Sequence, residues 1–319
     1  MPRECSLDLD PEADAFLERM RQRKAPPLSE LPVEAAREMY RRQSRHFGGE
    51  RVEVAAVAER AAVGPVGAIP LRLYRSHGLV AGLSPTLVYL HGGGWVVGDL
   101  DSHDKLCRQI AALAGCVVVA VDYRLAPESP APAAAEDAIA ALFWIAGHSA
   151  DLGIDPARLA VGGDSAGGSL AAVAAIAARD AGLALRGQVL IYPSTDNRRA
   201  VGRYPSRQRN AGVPPLTWDM VTYFLDQYLP DPRLAGDWRI SPILVPETAG
   251  LAPALLVSGE RDVLHDEGER YADRLDAGCV PVVRQTFPGM IHGFIELSGV
   301  ISAASKALDL IAVWLRRQL

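Results

Sequence analysis

Residues 161–170 read VGGDSAGGSL. Four of these ten residues are glycine. A helix interior does not choose that density, because each glycine costs roughly 1 kcal/mol relative to alanine there. The stretch closes a short apolar strand candidate, Leu159–Val161, and opens a strong helical pattern, Ala166–Asp180. Within it, Gly163-Asp164-Ser165-Ala166-Gly167 fits G-x-S-x-G. A serine at such a strand-to-helix turn has a strained backbone and a hydroxyl lifted above the sheet. Side chains two positions to either side would clash, which calls for glycine. The Ala166 N–H would then lie at a helix N-terminus, able to donate to a developing oxyanion. A Gly-rich turn without chemistry could carry the same short pattern. The strand before it and the helix after it favour a nucleophile.

Outward from Ser165 the chain has a rhythm. Apolar strand candidates lie at Thr86–Leu90, Cys116–Asp122, Gln188–Tyr192, Ala254–Ser258 and Val282–Phe287. Helical patterns fall between most of them, at Asp104–Ala114, Ala133–Ala146, Glu267–Ala277 and Ser302–Arg317. This alternation predicts an α/β fold with a mostly parallel central sheet and helices on both faces. Two further strands, RVEVAAVAER and GAIPLRLYR, precede it, joined by a Gly/Pro turn. Two regions break the rhythm. The first fifty residues read as amphipathic helices, one opened by an acidic cap and a proline. The segment from Tyr192 to Ala254 is rich in Arg, Pro and aromatics and holds one helix, LTWDMVTYFLDQYL. Both are expected to cap the carboxyl edge of the sheet. The expected division is cap helices 1–50, core 51–196, cap insertion 197–237 and core 238–319. The Arg198, Arg199, Arg203, Arg207 and Arg209 cluster is expected to be a solvated loop or lid face.

The stretch TLVYLHGGGWVVGDL supplies a second glycine loop directly after a strand. Its N–H groups can face a site without side-chain obstruction. The oxyanion donors are assigned to Gly93 and Gly94 within Gly92–Gly94, alongside Ala166. His91 is expected to hold this loop rather than act as a base. A nucleophilic serine needs a base, and only His265 and His292 lie downstream of it. His292 sits in a Gly-flanked loop past the last strand candidate and is the assigned base. Three acids follow Ala254–Ser258: Glu260, Asp262 and Asp266. Asp266 with Glu269 reads as a helix cap, which leaves Asp262 as the acid. Ser165, Asp262 and His292 then stand in the Ser…acid…His chain order.

The motifs HGGGWVVG, YRLAPE, GDSAGG and GMIHGF together resemble the hormone-sensitive-lipase family of α/β-hydrolase carboxylesterases, in its GDSAGG branch. The resemblance runs from about Thr86 to the C-terminus. It departs from the family in one place, where Asp262-Val263-Leu264 stands for the usual Asp-Pro-Leu. It implies hydrolysis of short to medium acyl esters without metal or organic cofactor, and dimerisation through the last strand and C-terminal helix. It also implies that Asp122, Tyr123, Arg124 and Glu128 brace the oxyanion loop by buried ion pairing. The same triad could serve an amidase or a deacetylase. A hormone receptor on this fold lacks the histidine that His292 supplies here.

Composition sets the outer limits. With 49% hydrophobic and 22% charged residues and a formal net charge of −5, the chain reads as globular, with no footprint for nucleic acid or anionic membrane. No apolar run reaches membrane-spanning length. The N-terminus lacks the basic start and apolar run of a signal peptide. Cys5, Cys107, Cys116 and Cys279 form no CxxC pair, and reduced thiols in a cytoplasmic protein are expected.

Overall fold

Val117–Val121, Gly187–Ile191 and Ala254–Gly259 are buried at every position. Strands without a polar face need cover on both sides. The computed structural model, which describes residues 8–24, 26–80 and 84–319, provides it. Its strands are β1 (Ala56–Val63), β2 (Ala68–Arg75), β3 (Ser84–Leu90), β4 (Val117–Val121), β5 (Ile154–Asp164), β6 (Gly187–Ile191), β7 (Ala254–Gly259) and β8 (Val282–Phe287). They form one sheet in the order β1-β2-β4-β3-β5-β6-β7-β8. β1 pairs antiparallel with β2, and β2 antiparallel with β4; from β4 through β8 every pairing is parallel.

The helices are α1 (Pro11–Arg23), α2 (Val33–Phe47), α3 (Asp104–Ala114), α4 (Ala133–Gly147), α5 (Ser149–Leu152), α6 (Ala166–Asp180), α7 (Pro205–Arg209), α8 (Trp218–Tyr228), α9 (His265–Ala277) and α10 (Ser302–Gln318). Strand periodicity sends alternate side chains to opposite faces. Val88, Leu90, Val119 and Val161 share a core with Ala138 and Leu142 of α4 and Val173 and Ile176 of α6. Leu87, Tyr89, Val118 and Ala160 share the other with Ile110 of α3 and Leu308 and Ile311 of α10. α6 is apolar nearly all round and is buried along almost its whole length, as a helix between a sheet and α4 must be.

The ends of the elements follow from local chemistry. Asp10 caps α1, its Oδ1 accepting from the Glu12 N–H at 2.8 Å with Pro11 behind it. Thr217 caps α8 by accepting from Met220 N at 3.2 Å. β5 runs on to Asp164, past the Val161 expected from sequence, and so carries Ser165 to the carboxyl edge. Cys107, Cys116 and Cys279 are free thiols. Cys5 and the start of the N-terminal reading lie outside the described residues. Among those described, no helix is long and apolar enough to cross a membrane.

Candidate active site

Ser165 stands between β5 and α6 with φ 55° and ψ −118°, a conformation that costs a non-glycine residue about 1–3 kcal/mol. The surroundings impose it. The Ser165 N–H donates to Ile191 O of β6 at 2.8 Å. A Cβ on Gly163 would lie 2.3 Å from Leu90 O, and one on Gly167 only 2.0 Å from the same oxygen. The turn thus presses against the end of β3, and only glycine permits that approach.

The loop after β3 lies beside it. Gly93 O accepts from Val96 N at 3.1 Å and from Val97 N at 3.0 Å, folding the loop back on itself. Gly93 and Gly94 have φ of 117° and 60°. The loop is braced as the YRLAPE stretch suggested, but by different bonds. The Tyr123 hydroxyl donates to His91 O at 2.7 Å, and Ala126 N to Trp95 O at 2.8 Å. Arg124 pairs instead with Asp137 of α4. Glu128, which is exposed, pairs with Arg37 of α2, whose Nε also donates to Val96 O at 2.9 Å. The brace is thus mostly hydrogen bonding to backbone, because the loop offers carbonyls rather than charges. His91 is buried, stacked on Tyr123 with ring centroids 4.2 Å apart, and its Nδ1 lies 2.8 Å from Gly92 O. Burial and the neighbouring His103 hold it down at about 4, so it is neutral.

His292 follows β8, and its Nε2 lies 2.8 Å from Ser165 Oγ. Its Nδ1 lies 2.6 Å from Asp262 Oδ2. Asp262 Oδ1 accepts from Leu264 N at 2.8 Å. A hydroxyl, an imidazole and a carboxylate stand in line, an arrangement able to draw a proton from the hydroxyl and stabilise the resulting imidazolium. Gly93, Gly94, Ser165, Ala166 and His292 all line one cavity of about 210 Å³. The sequence-assigned residues are therefore together, and His265, at the head of α9, donates its N–H to Asp262 O at 3.2 Å but does not line the cavity.

Two sequence expectations fail. Asp266 does not cap its own helix: α9 begins at His265, and its flanking residue, Leu264, makes no side-chain cap. The Asp266 carboxylate instead accepts from Ser206 N of α7 at 2.7 Å, while Ser206 Oγ accepts from Asp266 N at 3.1 Å. Each helix start satisfies a free N–H of the other. The second failure lies within the expected solvated Arg face, where Arg199, Arg203 and Arg209 are exposed but Arg207 is not. Arg207 is 2% exposed, bonded through Nε and Nη2 to Glu267 Oε2 at 3.0 and 2.6 Å, and sandwiched between the Tyr204 and Trp218 rings. Hydrogen bonding to a buried acid and two aromatic faces removes this guanidinium from water. Arg198 pairs with the buried Asp196, and Arg199 with Asp226.

Sequence reasoning also missed a buried network beneath the glycine loop. Asp164 Oδ1 accepts from Tyr89 Oη at 2.8 Å and Gly92 N at 3.0 Å, and lies 3.3 Å from His103 Nε2. Burial pulls the His103 imidazolium down, but Asp164, helped by Glu296 and Asp99, more than offsets this and holds it up at about 9. Asp164 itself is held low: His103 and Tyr89 outweigh its burial. Glu296 lies 3.8 Å from His103 and accepts from Tyr40 Oη. The acid inside GDSAGG was the available signal for this network.

A parallel sheet presenting a strained serine at its carboxyl edge, with imidazole and carboxylate from later loops, defines an α/β-hydrolase. A family model described as alpha/beta hydrolase fold matches residues 87–296. The chain is 38% identical to ethyl acetate hydrolase of Pseudomonas putida, over 98% of this chain and all of that protein. It is 43% identical to carboxylesterase NlhH of Mycobacterium tuberculosis, over 75% of each chain. The structure of an ester-hydrolase from the metagenome of Lake Arreo, complexed with a derivative of bipyridine phosphonate, superposes with a TM-score of 0.92. The two are 40% identical, covering 97% of this chain and 98% of that one. The chain belongs to the α/β-hydrolase family, in its hormone-sensitive-lipase-like group. It is a carboxylesterase.

Proposed function

We propose that Ser165 is the nucleophile of a two-step acyl transfer, with His292 as base and Asp262 as its orienting acid. Nδ1–H of His292 donates to Asp262, which leaves Nε2 free to take the Ser165 proton as Oγ attacks the ester carbonyl. The N–H groups of Gly93, Gly94 and Ala166 hold the oxyanion. His292 then protonates the leaving alcohol, and water attacks the acyl-enzyme by the same route. No step calls for a metal or organic cofactor. The observation that carries this reading is the unbroken line from Ser165 Oγ through His292 to Asp262, at 2.8 and 2.6 Å, on the wall of one cavity.

The substrates in this reading are short to medium acyl esters. Support comes from the modest cavity, which is roofed by Leu17 and Met20 on one side and Leu216 and Val221 on the other. The ethyl acetate activity named for the Pseudomonas relative agrees. Residues 1–50 and 197–237 form the roof in this scheme, and the remainder is the catalytic core. A cytoplasmic location fits the free thiols. A homodimer fits the position of β8 at the sheet edge, with Val283 45% exposed.

Ser165→Ala is expected to cut p-nitrophenyl butyrate turnover by roughly 10³ or more with an unchanged fold. A phosphonate ester should label wild-type protein at Ser165. Turnover that survives the substitution, with label on another residue, overturns the assignment.

A further inference from the structure

The cavity in front of Ser165 is lined by two unlike groups of residues. One is apolar, built from Leu216, Met220, Val221, Phe224, Leu225 and Leu264. The other is a polar corner, where α2 presents Tyr40 and Gln43 and the turn Phe294–Leu297 presents Glu296. Glu296 belongs to the His103–Asp164 network, yet it also lines this cavity, where partly desolvating a carboxylate is costly unless something pairs with it. We propose that Tyr40, Gln43 and Glu296 form a subsite for a hydroxyl group carried on one arm of the ester, so that hydroxylated esters are the favoured substrates. This rests on the ester chemistry proposed at Ser165.

The corner has unused hydrogen-bonding capacity. The single hydroxyl proton of Tyr40 is shared between the two Glu296 oxygens, at 2.8 and 2.9 Å. A carboxylate offers about four lone-pair sites, so acceptors are left over. The nearest cation, His103 Nε2, is 3.8 Å away, too far for a hydrogen bond. The Glu296 side chain is 14% exposed and lines the cavity. The Gln43 side chain makes no hydrogen bond among the described residues and adds both donor and acceptor.

The chemistry of the corner separates a hydroxyl from charged alternatives. A carboxylate on the substrate would meet Glu296. An ammonium would sit in the same cavity as His292 and would oppose the imidazolium that forms during attack. Burial pushes Glu296 up, against the pull of His103, to about 7. Near neutrality it is thus present both as acid and as carboxylate. A hydroxyl satisfies either form by donating or accepting, whereas an ammonium can only donate.

The experiment compares kcat/KM of the full chain for ethyl butyrate, 2-hydroxyethyl butyrate and ethyl 3-hydroxybutyrate, followed by acid release. The second ester places the hydroxyl on the alcohol arm and the third on the acyl arm. At least one is expected to exceed ethyl butyrate by about ten-fold, the size of a buried hydrogen bond to a charged or polar partner. That ratio should fall to about one in Glu296→Leu and shrink in Gln43→Leu, the second variant standing in should the first not fold. A ratio cancels any general loss of activity. If ethyl butyrate is hydrolysed while both ratios are at or below one, or are unmoved by both variants, the subsite is overturned and the ester reading stands. Faster turnover of butyrylcholine than of either hydroxy ester overturns the hydroxyl assignment. If the folded wild-type protein hydrolyses none of these esters, the ester reading falls as well.

Discussion

The proposed nucleophile end and the proposed acid end of the site are positioned by different means. At the nucleophile end the backbone does the work. Gly163 and Gly167 lie against Leu90 O, and Ser165 N is fixed to β6, so the serine's place follows from strand pairing and the absence of two Cβ atoms. At the acid end, side chains from a distant segment hold the loop. Asn210 Nδ2 donates to Asp262 O at 2.8 Å and to Glu260 O at 3.1 Å. Ser206 Oγ donates to Val263 O at 3.0 Å, and Arg207 binds Glu267 one turn further on. A backbone-set position tolerates changes anywhere but at its glycines. A side-chain-set position depends on several residues far away in sequence, each of which can be lost separately.

The largest expected effect tests whether the acid end matters to chemistry at all. In the proposed mechanism, Asp262→Asn removes the carboxylate that selects the His292 tautomer while keeping the shape. Turnover of p-nitrophenyl butyrate should drop by roughly 10²–10⁴, with the melting temperature nearly unchanged. A drop of less than tenfold would leave the nucleophile end sufficient by itself.

Next in size is Arg207→Met. It leaves Glu267 buried without its cation, which should cost about 3–5 kcal/mol. Hydrogen exchange sharpens the contrast. Protection should be lost around Glu260–Glu267 and kept around Gly162–Ser169, because among the described residues no hydrogen bond or ion pair joins the β5–α6 turn directly to α7. Equal loss in both stretches would make the two ends a single unit.

The smallest effect concerns the ionic contact of His103 with Asp164. His91 and His103, with ring centroids 5.5 Å apart, should titrate by NMR near 4 and near 9 respectively. His103 is raised above its unfolded value of about 6.5. Its contribution to stability is therefore complete below about pH 6.5 and lost as pH rises through about 9. His91 is depressed, so its contribution is present above about 6.5 and lost as pH falls through about 4. Urea denaturation should show a fall on the order of 1–3 kcal/mol between pH 6.5 and 9. An ordinary His103 titration near 6.5 would remove charge from the account of how the Gly92 N–H is held.

The same contrast explains what could be read without coordinates. Steric demands of backbone leave glycines at fixed offsets, so the Ser165 turn and the Gly92–Gly94 loop were visible in a few residues. The strand rhythm was visible because a sheet covered on both faces needs continuous apolar runs. Arg207 was misread because a run of arginines has no one-dimensional mark of burial. The aromatic rings and the acid that bury it come from Tyr204, Trp218 and Glu267. Asp266 was misread for a related reason. The spacing to Glu269 matches a cap, but the donor it meets belongs to another helix. His103, Asp164 and Glu296 are spread over most of the chain, and only the sheet edge gathers them.

The reciprocal bonds between Ser206 and Asp266 bear on how this enzyme could be recombined with its relatives. A roof segment is an attractive cassette to exchange, since it lines the cavity and carries none of the three residues assigned to proton transfer. Here the cassette reaches into the machinery it covers. A splice at residues 197–237 that brings in a foreign α7 without Ser206, Arg207 and Asn210 would change the substrate room and unfasten the acid loop together. A splice placed after Asn210 would keep Ser206, Arg207 and Asn210 on that loop and exchange Pro214, Pro215, Leu216, Met220, Val221, Phe224 and Leu225 on the cavity wall. The useful seam in this chain therefore falls inside the insertion, between its anchor and its roof.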